Sequence, residues 1–291
     1  MTTTPSTPRQ VADAYVDAIC ELDPIVATSL GTRPGDDRLP DPSPTGLEAE
    51  AELTRRTLAE LDRVLAADPS LADDPVERNC ARLLRERLGA ELASHEAGEG
   101  YRALSNLFSP VHAVRQVFTM MPTVTEEDWS VIARRMARVP VAYAGFRESL
   151  EEGARRGLLV APRQVRTVVA QLDEWLAGPY FAGFVATGPE ALRDDLAKAA
   201  DAADRAVADI RDFLRDVYAP LTDGTPDAVG RERYATAVRR WTGSDLGTGR
   251  ALEEAYAWGW SAPRSEPVQR RTAVAYRSRP TASGVPSVSG A

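Results

Sequence analysis

Apolar residues recur at intervals of three and four along most of this chain, and this spacing restricts its fold more than any other feature. Such residues lie on one face of an α-helix, which neighbouring helices can bury. The clearest stripes run over residues 47–65, 76–92 and 192–217. No segment shows the sustained period-two alternation of a half-buried strand. The sequence therefore predicts an all-α fold, an irregular multi-helix bundle.

Helix boundaries are also visible in the sequence. Asp74 precedes Pro75, an acidic N-cap followed by proline at the first helical position. Thr125 and Asp128 have the spacing of a capping box. Residues 178–188 carry glycines and aromatic side chains and are predicted to form a loop. A long helix is predicted to follow over residues 189–218, with Val217 among its inward residues.

Changes in composition divide the chain into three parts. Residues 1–7 are polar and are predicted to be a disordered N-terminus. Residues 8–260 carry the helical stripes and are predicted to form one helical domain. Residues 261–291 are rich in Ser, Pro, Arg and Ala without helical periodicity. They are predicted to be a disordered or frameshift-like tail.

Charge and hydrophobicity exclude several classes of protein. The net charge of −8 over 291 residues argues against a nucleic-acid partner, which would need a basic face. We find no secretory signal at the N-terminus and no apolar run long enough to span a membrane. Cys20 and Cys80 lie on apolar helix faces and are expected to be buried free thiols. A cytoplasmic location without membrane partners is the expectation.

The chain contains two histidines, too few for a convincing zinc site. Zinc peptidases commonly use His-Glu-x-x-His, because residues four apart on a helix can share one metal ion. His95 and Glu96 begin that pattern, but Glu99 stands where the second histidine is needed. His112 lies in an apolar stretch and is expected to be a buried or groove-lining side chain. No residue is predicted to be catalytic or metal-binding, and no cofactor is expected in this chain.

Several segments together resemble the bacterial domain of unknown function 885 family. They are an early segment from Asp23 to Gly31, a middle segment over residues 104–122, and the stretch from Gly157 to Gln171. The most specific is the pair of stretches at 230–234 and 252–260. The resemblance covers roughly residues 8–260. It implies a fold like the N-terminal half of a helical zinc metallopeptidase, whose zinc motif lies in the C-terminal half.

This resemblance leads to two functional hypotheses. The first is a truncated, metal-free N-terminal half of a peptidase-like protein, which supplies scaffold and substrate-channel walls but no catalysis alone. The alternative is a free-standing helical binding module. The ligand of such a module is unknown. The partners expected for the chain are a missing C-terminal half or a second copy of itself. The residues expected to line the groove are His112, Arg115, Gln116, Arg163 and Gln171.

The first hypothesis also predicts apolar surface left uncovered by a missing half. The candidates are the stretch at 104–121 and the aromatic residues Tyr180, Phe181 and Phe184. The helix around Trp258 is another. Exposed patches of this kind favour self-association.

Overall fold

The computed structural model describes residues 5–178 and 180–243. Every regular element in those ranges is helical and none is a strand, so the all-α prediction is confirmed. The α-helices are α1 (Pro8–Leu22), α2 (Pro24–Leu30), α3 (Pro44–Ala67), α4 (Pro75–Glu96), α5 (Pro110–Val117), α6 (Glu126–Met136), α7 (Val139–Arg155), α8 (Pro162–Ala177), α9 (Tyr180–Val185), α10 (Arg193–Asp212), α11 (Ala219–Leu221) and α12 (Arg231–Thr242). The predicted tail at 261–291 and the helix around Trp258 lie outside the described residues.

Side-chain caps explain many of the helix starts. The Asp23 carboxylate accepts the backbone N–H groups of Ile25 and Val26, at 2.9 and 3.2 Å, and so caps α2. Thr125 and Asp128 form the predicted capping box at the start of α6. Proline at the first position has a φ angle suited to the helix and lacks an N–H that would have no partner there. These signals are local, which is why the sequence reveals them.

The larger hydrophobic core surrounds α10, which packs against α6, α7, α8 and α9. Helix α10 contributes alanines and branched residues spaced by three and four, and its neighbours contribute the larger side chains. The largest fully buried apolar side chains there are Phe118, Ile132, Met136, Phe146, Leu150, Leu172, Phe181, Leu196 and Leu214. This core fixes the positions of α5, α8 and α9.

A second, smaller core lies between α1, α3 and α4 and contains Val11, Leu61, Val64 and Ala81. Helix α12 packs on α4 without burying any residue. It is held by ion pairs instead: Nε and Nη2 of Arg233 bind both oxygens of Glu99 at 2.7 Å. The outer helix is therefore attached mainly by charge.

The long helix at 193–221 departs from the predicted register near its end. Residues 213–218 form a π-helical turn between α10 and α11, which accommodates an extra residue. The turn shifts the inward positions by one, so Tyr218 is fully buried whereas Val217 is 51% exposed. The prediction that Val217 faces the core is wrong for this reason.

Residues 180–185 form the short helix α9, although a loop was predicted there. The carboxylate of Asp204 on α10 accepts the N–H groups of Phe181 and Ala182 at the start of this helix. Phe181 is fully buried and packs edge-on against Phe118, with the ring centroids 5.5 Å apart. Long-range contacts to α10 and to Phe118, just after α5, thus stabilise a helix whose sequence alone favours a loop.

The prediction of an apolar surface at 104–121 is largely wrong. Most apolar side chains of this stretch lie in the core, and Phe181 is buried with them. Leu107 and Phe108 remain exposed, at 67% and 77%, and Met120 is partly exposed. The exposed apolar area in this region is therefore a short loop rather than a whole face.

Two further expectations concern the cysteines and the membrane. Cys20 is buried and Cys80 half-buried, and both are free thiols. None of the described helices is long and apolar enough to cross a membrane.

Candidate functional site

The N-terminus of α5 meets one face of α8, and polar side chains join the two. Gln164 and Gln171 are seven residues apart and so lie on the same side of α8. The Gln164 side-chain oxygen accepts the backbone N–H of Asn106 at 3.2 Å. The Gln171 amide donates to the Asn106 carbonyl at 3.1 Å. These two glutamines fix the loop that leads into α5.

His112 lies at the centre of this junction. Its Nδ1 is 2.6 Å from the Ser109 hydroxyl, and its Nε2 is 3.2 Å from the side-chain oxygen of Gln171. The neutral tautomer with the proton on Nε2 satisfies both contacts, because the hydroxyl can donate and the amide oxygen can accept. The imidazole edge also packs against Trp175, with ring centroids 5.4 Å apart. His112 is thus held on three sides.

Arg115, one helical turn after His112, lies against two aromatic rings. Its guanidinium carbon is 4.6 Å from the Trp175 centroid and 3.9 Å from the Tyr180 centroid. Both distances are those of cation–π contacts. Arg115 pairs with no acidic side chain in the described parts of the chain, and its Nε is buried without a hydrogen-bond partner. The site therefore holds a positive charge in place without neutralising it.

Burial lowers the pKa of His112 below its ordinary value, and the positive charge of Arg115 acts in the same direction. The hydrogen bond to Gln171 opposes the shift. We expect the His112 ring protons to titrate in NMR spectra with a midpoint below about 6.5, the ordinary histidine pKa. Gln171→Leu should lower the midpoint further. Gln116→Leu, on the same helix but outside the junction, should leave it unchanged.

A midpoint above 6.5 in the wild-type protein would contradict the arrangement, as would a Gln171→Leu variant with an unaltered midpoint. Comparison with a His112→Gln variant identifies the resonance that belongs to His112. The protein is folded throughout this pH range if the remaining resonances keep their dispersion.

The structure brings together three of the five predicted groove residues, namely His112, Arg115 and Gln171. Gln116 is exposed on the side of α5 away from the core. Arg163 is exposed on α8 and lies 3.2 Å from the Asp227 carboxylate. Neither contributes to the junction. We define the arginine–aromatic site by its five side chains, listed here: His112, Arg115, Gln171, Trp175 and Tyr180.

Ser109 and Trp175 also contact His112, but the sequence analysis did not predict them as groove residues. Ser109, His112 and Arg115 are spaced by three, and Gln171 and Trp175 by four, so each set shares one helix face. That spacing is the signal in the sequence. It gave no indication of which faces of α5 and α8 meet, because that depends on the packing of α5 against α2 and α7 and of α8 against α10.

The contact between Ser109 and His112 has the residue types of a nucleophile and its base. In such pairs a carboxylate on the far side of the imidazole stabilises the positive charge that forms on proton transfer. Here the neutral amide of Gln171 takes that place, and Arg115 adds repulsion. The arrangement therefore favours binding over nucleophilic catalysis.

The described residues do not fit the zinc ion that the family resemblance implies. His95 lies in the last turn of α4, with its Nε2 3.0 Å from the Glu48 carboxylate, whereas His112 is engaged by Ser109 and Gln171. Among the described residues no group of three His, Cys, Asp or Glu side chains is arranged to hold a metal ion. No step of chemistry can be assigned to a metal on these residues.

A family model described as "Bacterial protein of unknown function (DUF885)" matches residues 24–266. The match includes the segments at 104–122 and 157–171, which contribute His112, Arg115 and Gln171 to the arginine–aromatic site. No curated protein matches the chain.

Proposed function

The chain belongs to the DUF885 family of bacterial proteins, and on that premise we propose that its helical body binds a substrate without carrying out chemistry on it. In this proposal the body is a metal-free scaffold that supplies one wall of a substrate channel in a peptidase-like protein. The arginine–aromatic site is the part of that wall which contacts the substrate.

Arg115 is the observation that carries the proposal. A guanidinium fixed between Trp175 and Tyr180, with no acidic partner among the described residues, is prepared to bind an anionic group. The rings hold the cation in one geometry, which reduces the entropy lost when a ligand binds. Leu107 and Phe108, exposed just before Ser109, can contact apolar side chains of the same ligand. A peptide with a carboxylate and apolar side chains has this combination.

The absence of catalysis in this proposal rests on residue types. The chain contains only His95 and His112, which are too far apart in sequence for a His-Glu-x-x-His helix. Each is engaged by other side chains. A peptidase-like activity would therefore need a metal-binding segment from elsewhere. The alternative, a free-standing binding module, uses the same surface and differs only in needing no such segment.

We expect a fluorescent peptide rich in leucine, phenylalanine and glutamate to bind the purified chain in an anisotropy titration. Arg115→Gln should weaken this binding about tenfold or more, because a charge-assisted hydrogen bond contributes about 1.5–3 kcal/mol. Arg163→Gln is the matched control. It removes an exposed arginine of the adjacent helix and should leave the affinity unchanged.

Equal binding by wild-type and Arg115→Gln proteins would contradict the assignment of the site. Hydrolysis of the peptide by the chain alone, with or without added zinc, would contradict the scaffold proposal. The neighbouring genomic sequence distinguishes the hypothesis of a peptidase-like protein from that of a free-standing binding module. A frame encoding His-Glu-x-x-His favours the peptidase-like protein, and an unrelated gene favours the free-standing module.

A further inference from the structure

Arg135 on α6 is the most unusual buried group among the described residues. Its side chain is 0% exposed. Its Nη1 donates to the Thr28 hydroxyl at 2.9 Å, but its Nε and Nη2 have no hydrogen-bond partner. Burying a charged group costs free energy unless its donors are satisfied. Two open donors on one buried guanidinium therefore need an explanation.

The two open donors lie on the same edge of the guanidinium. This edge binds a carboxylate with two parallel hydrogen bonds. Other arginines of this chain show the arrangement: Nε and Nη2 of Arg38, Arg63, Arg215 and Arg233 bind a single carboxylate. Arg135 presents the same edge to no protein group in the described ranges.

The acidic residues near Arg135 are already engaged. Asp23 caps α2, and Asp36 binds the guanidinium of Arg38. Asp37 binds Arg134 and Arg138 at 2.8 and 3.0 Å. These three carboxylates act on Arg135 at longer range and favour its charged form, whereas burial disfavours it. No internal carboxylate is left to occupy the open edge.

A pocket of about 350 Å³ adjoins Arg135. It lies between α2, the loop that follows α2, and the start of α6. Its size is at the lower end of small-molecule sites. Met120, Met121, Pro122 and Val131 supply apolar surface, and Thr28 is shared with the Arg135 hydrogen bond. The pocket thus places apolar walls beside the side chain that carries two unpartnered donors.

We propose that this pocket binds a small monocarboxylate with an apolar body. The carboxylate lies across Nε and Nη2 of Arg135, and the apolar body contacts the methionines, Pro122 and Val131. The acidic side chains of Asp36, Glu127 and Asp128 also line the pocket. Their charge disfavours a dianion such as phosphate, which otherwise matches the same donors. This site is independent of the arginine–aromatic site and of the proposed function.

The test uses 4-methylpentanoate as the probe, with its uncharged amide and inorganic phosphate as comparisons. We expect the carboxylate to raise the melting temperature of the wild-type protein saturably, because it binds the folded state. The amide and phosphate should bind at least about tenfold more weakly. In spectra of the ¹⁵N-labelled protein the carboxylate should shift the Nε–H resonance of Arg135.

Arg135→Met, which keeps the length and removes the charge, should weaken carboxylate binding at least about tenfold. Arg205→Met is the matched control, since Arg205 is an exposed arginine of α10 that lies, with its carboxylate partner Asp201, outside the pocket lining. It should bind the probe as the wild type does. If Arg135→Met does not fold, the shift of the Nε–H resonance in the wild-type protein still shows whether the carboxylate binds at Arg135.

Three results would overturn the proposal. The first is an absence of any saturable effect of the carboxylate, which would mean that water alone fills the pocket. The second is equal binding of the amide, which would assign the affinity to the apolar walls. The third is tighter binding of phosphate than of the carboxylate.

Discussion

Replacing Phe181 by alanine is expected to destabilise the protein by about 3–5 kcal/mol, the cost typical of truncating a fully buried phenylalanine. The ring is 0% exposed and packs edge-on against Phe118 at 5.5 Å and Tyr180 at 5.2 Å. Helix α9 has only six residues, and Phe181 is its one buried residue. The substitution therefore removes the main apolar anchor of the helix as well as leaving a cavity.

Chemical denaturation of the two proteins measures this loss. Phe108→Ala is the matched control, because Phe108 is 77% exposed and its truncation should change the free energy of unfolding by less than about 0.5 kcal/mol. The pair also tests where the apolar residues of this region lie. Equal effects of the two substitutions would contradict the burial of Phe181 and favour the exposed face predicted from the sequence.

Loss of α9 should also weaken the arginine–aromatic site. Tyr180 is the first residue of this helix, and its ring covers one side of Arg115. A Phe181→Ala protein that is still folded is therefore expected to bind the fluorescent peptide less tightly. A Tyr180→Leu variant, which removes the aromatic face but keeps an apolar side chain, separates this effect from that of global stability.

The all-α fold and many helix boundaries could be predicted because their signals are local. Pro75, the capping box of Thr125 and Asp128, and stripes such as that from 192 to 213 each depend on neighbours within one or two turns. The π-helical turn at 213–218 could not be predicted in this way. Its apolar residues fit an α-helical rhythm, and only the burial of Tyr218 shows that the register changes.

The candidate site could be predicted in part, for a related reason. His112 and Arg115 lie on one helix and Gln171 on another, and the family resemblance pointed to both segments. Which side chains meet depends on how α5 packs against α2 and α7 and how α8 packs against α10. Gln116 and Arg163 were therefore included although neither reaches the junction.

The sequence analysis did not predict the burial of Arg135. It stands beside the apolar stripe of α6, where an arginine is ordinarily expected in solvent. Its burial arises from α2 and the loop after it, about a hundred residues earlier in the chain. No local pattern carries that information.

Ionisation of Glu50 on α3 is expected to have the second large effect on the stability of the protein. Burial raises its pKa to about 7, and the nearby negative charges of Asp23, Glu91 and Asp41 add to the shift. In the unfolded chain the pKa is about 4.5. Below pH 4.5 the group is protonated in both states and costs nothing. As the pH rises from 4.5 towards 7 the unfolded chain ionises first, so Glu50 increasingly favours the unfolded state and the protein loses stability.

We therefore expect Glu50→Gln to be more stable than the wild type at pH 8, by about 3 kcal/mol, since one pKa unit corresponds to 1.36 kcal/mol. The difference between the two proteins should be small at pH 4 and grow between about pH 4.5 and 7. Urea unfolding at a series of pH values measures it. Other titrating groups are common to both proteins and cancel in the difference.

Glu52→Gln is the control, because Glu52 lies on the same helix but is exposed and paired with Arg55. Exposed pairs of this kind contribute about 0–1 kcal/mol, so its difference from the wild type should be small. A Glu50→Gln difference that stays constant from pH 4 to 8 would mean that the Glu50 carboxylate reaches solvent in the folded protein. A difference of opposite sign would mean that the ionised carboxylate finds a stabilising partner there, against the acidic surroundings that the structure shows.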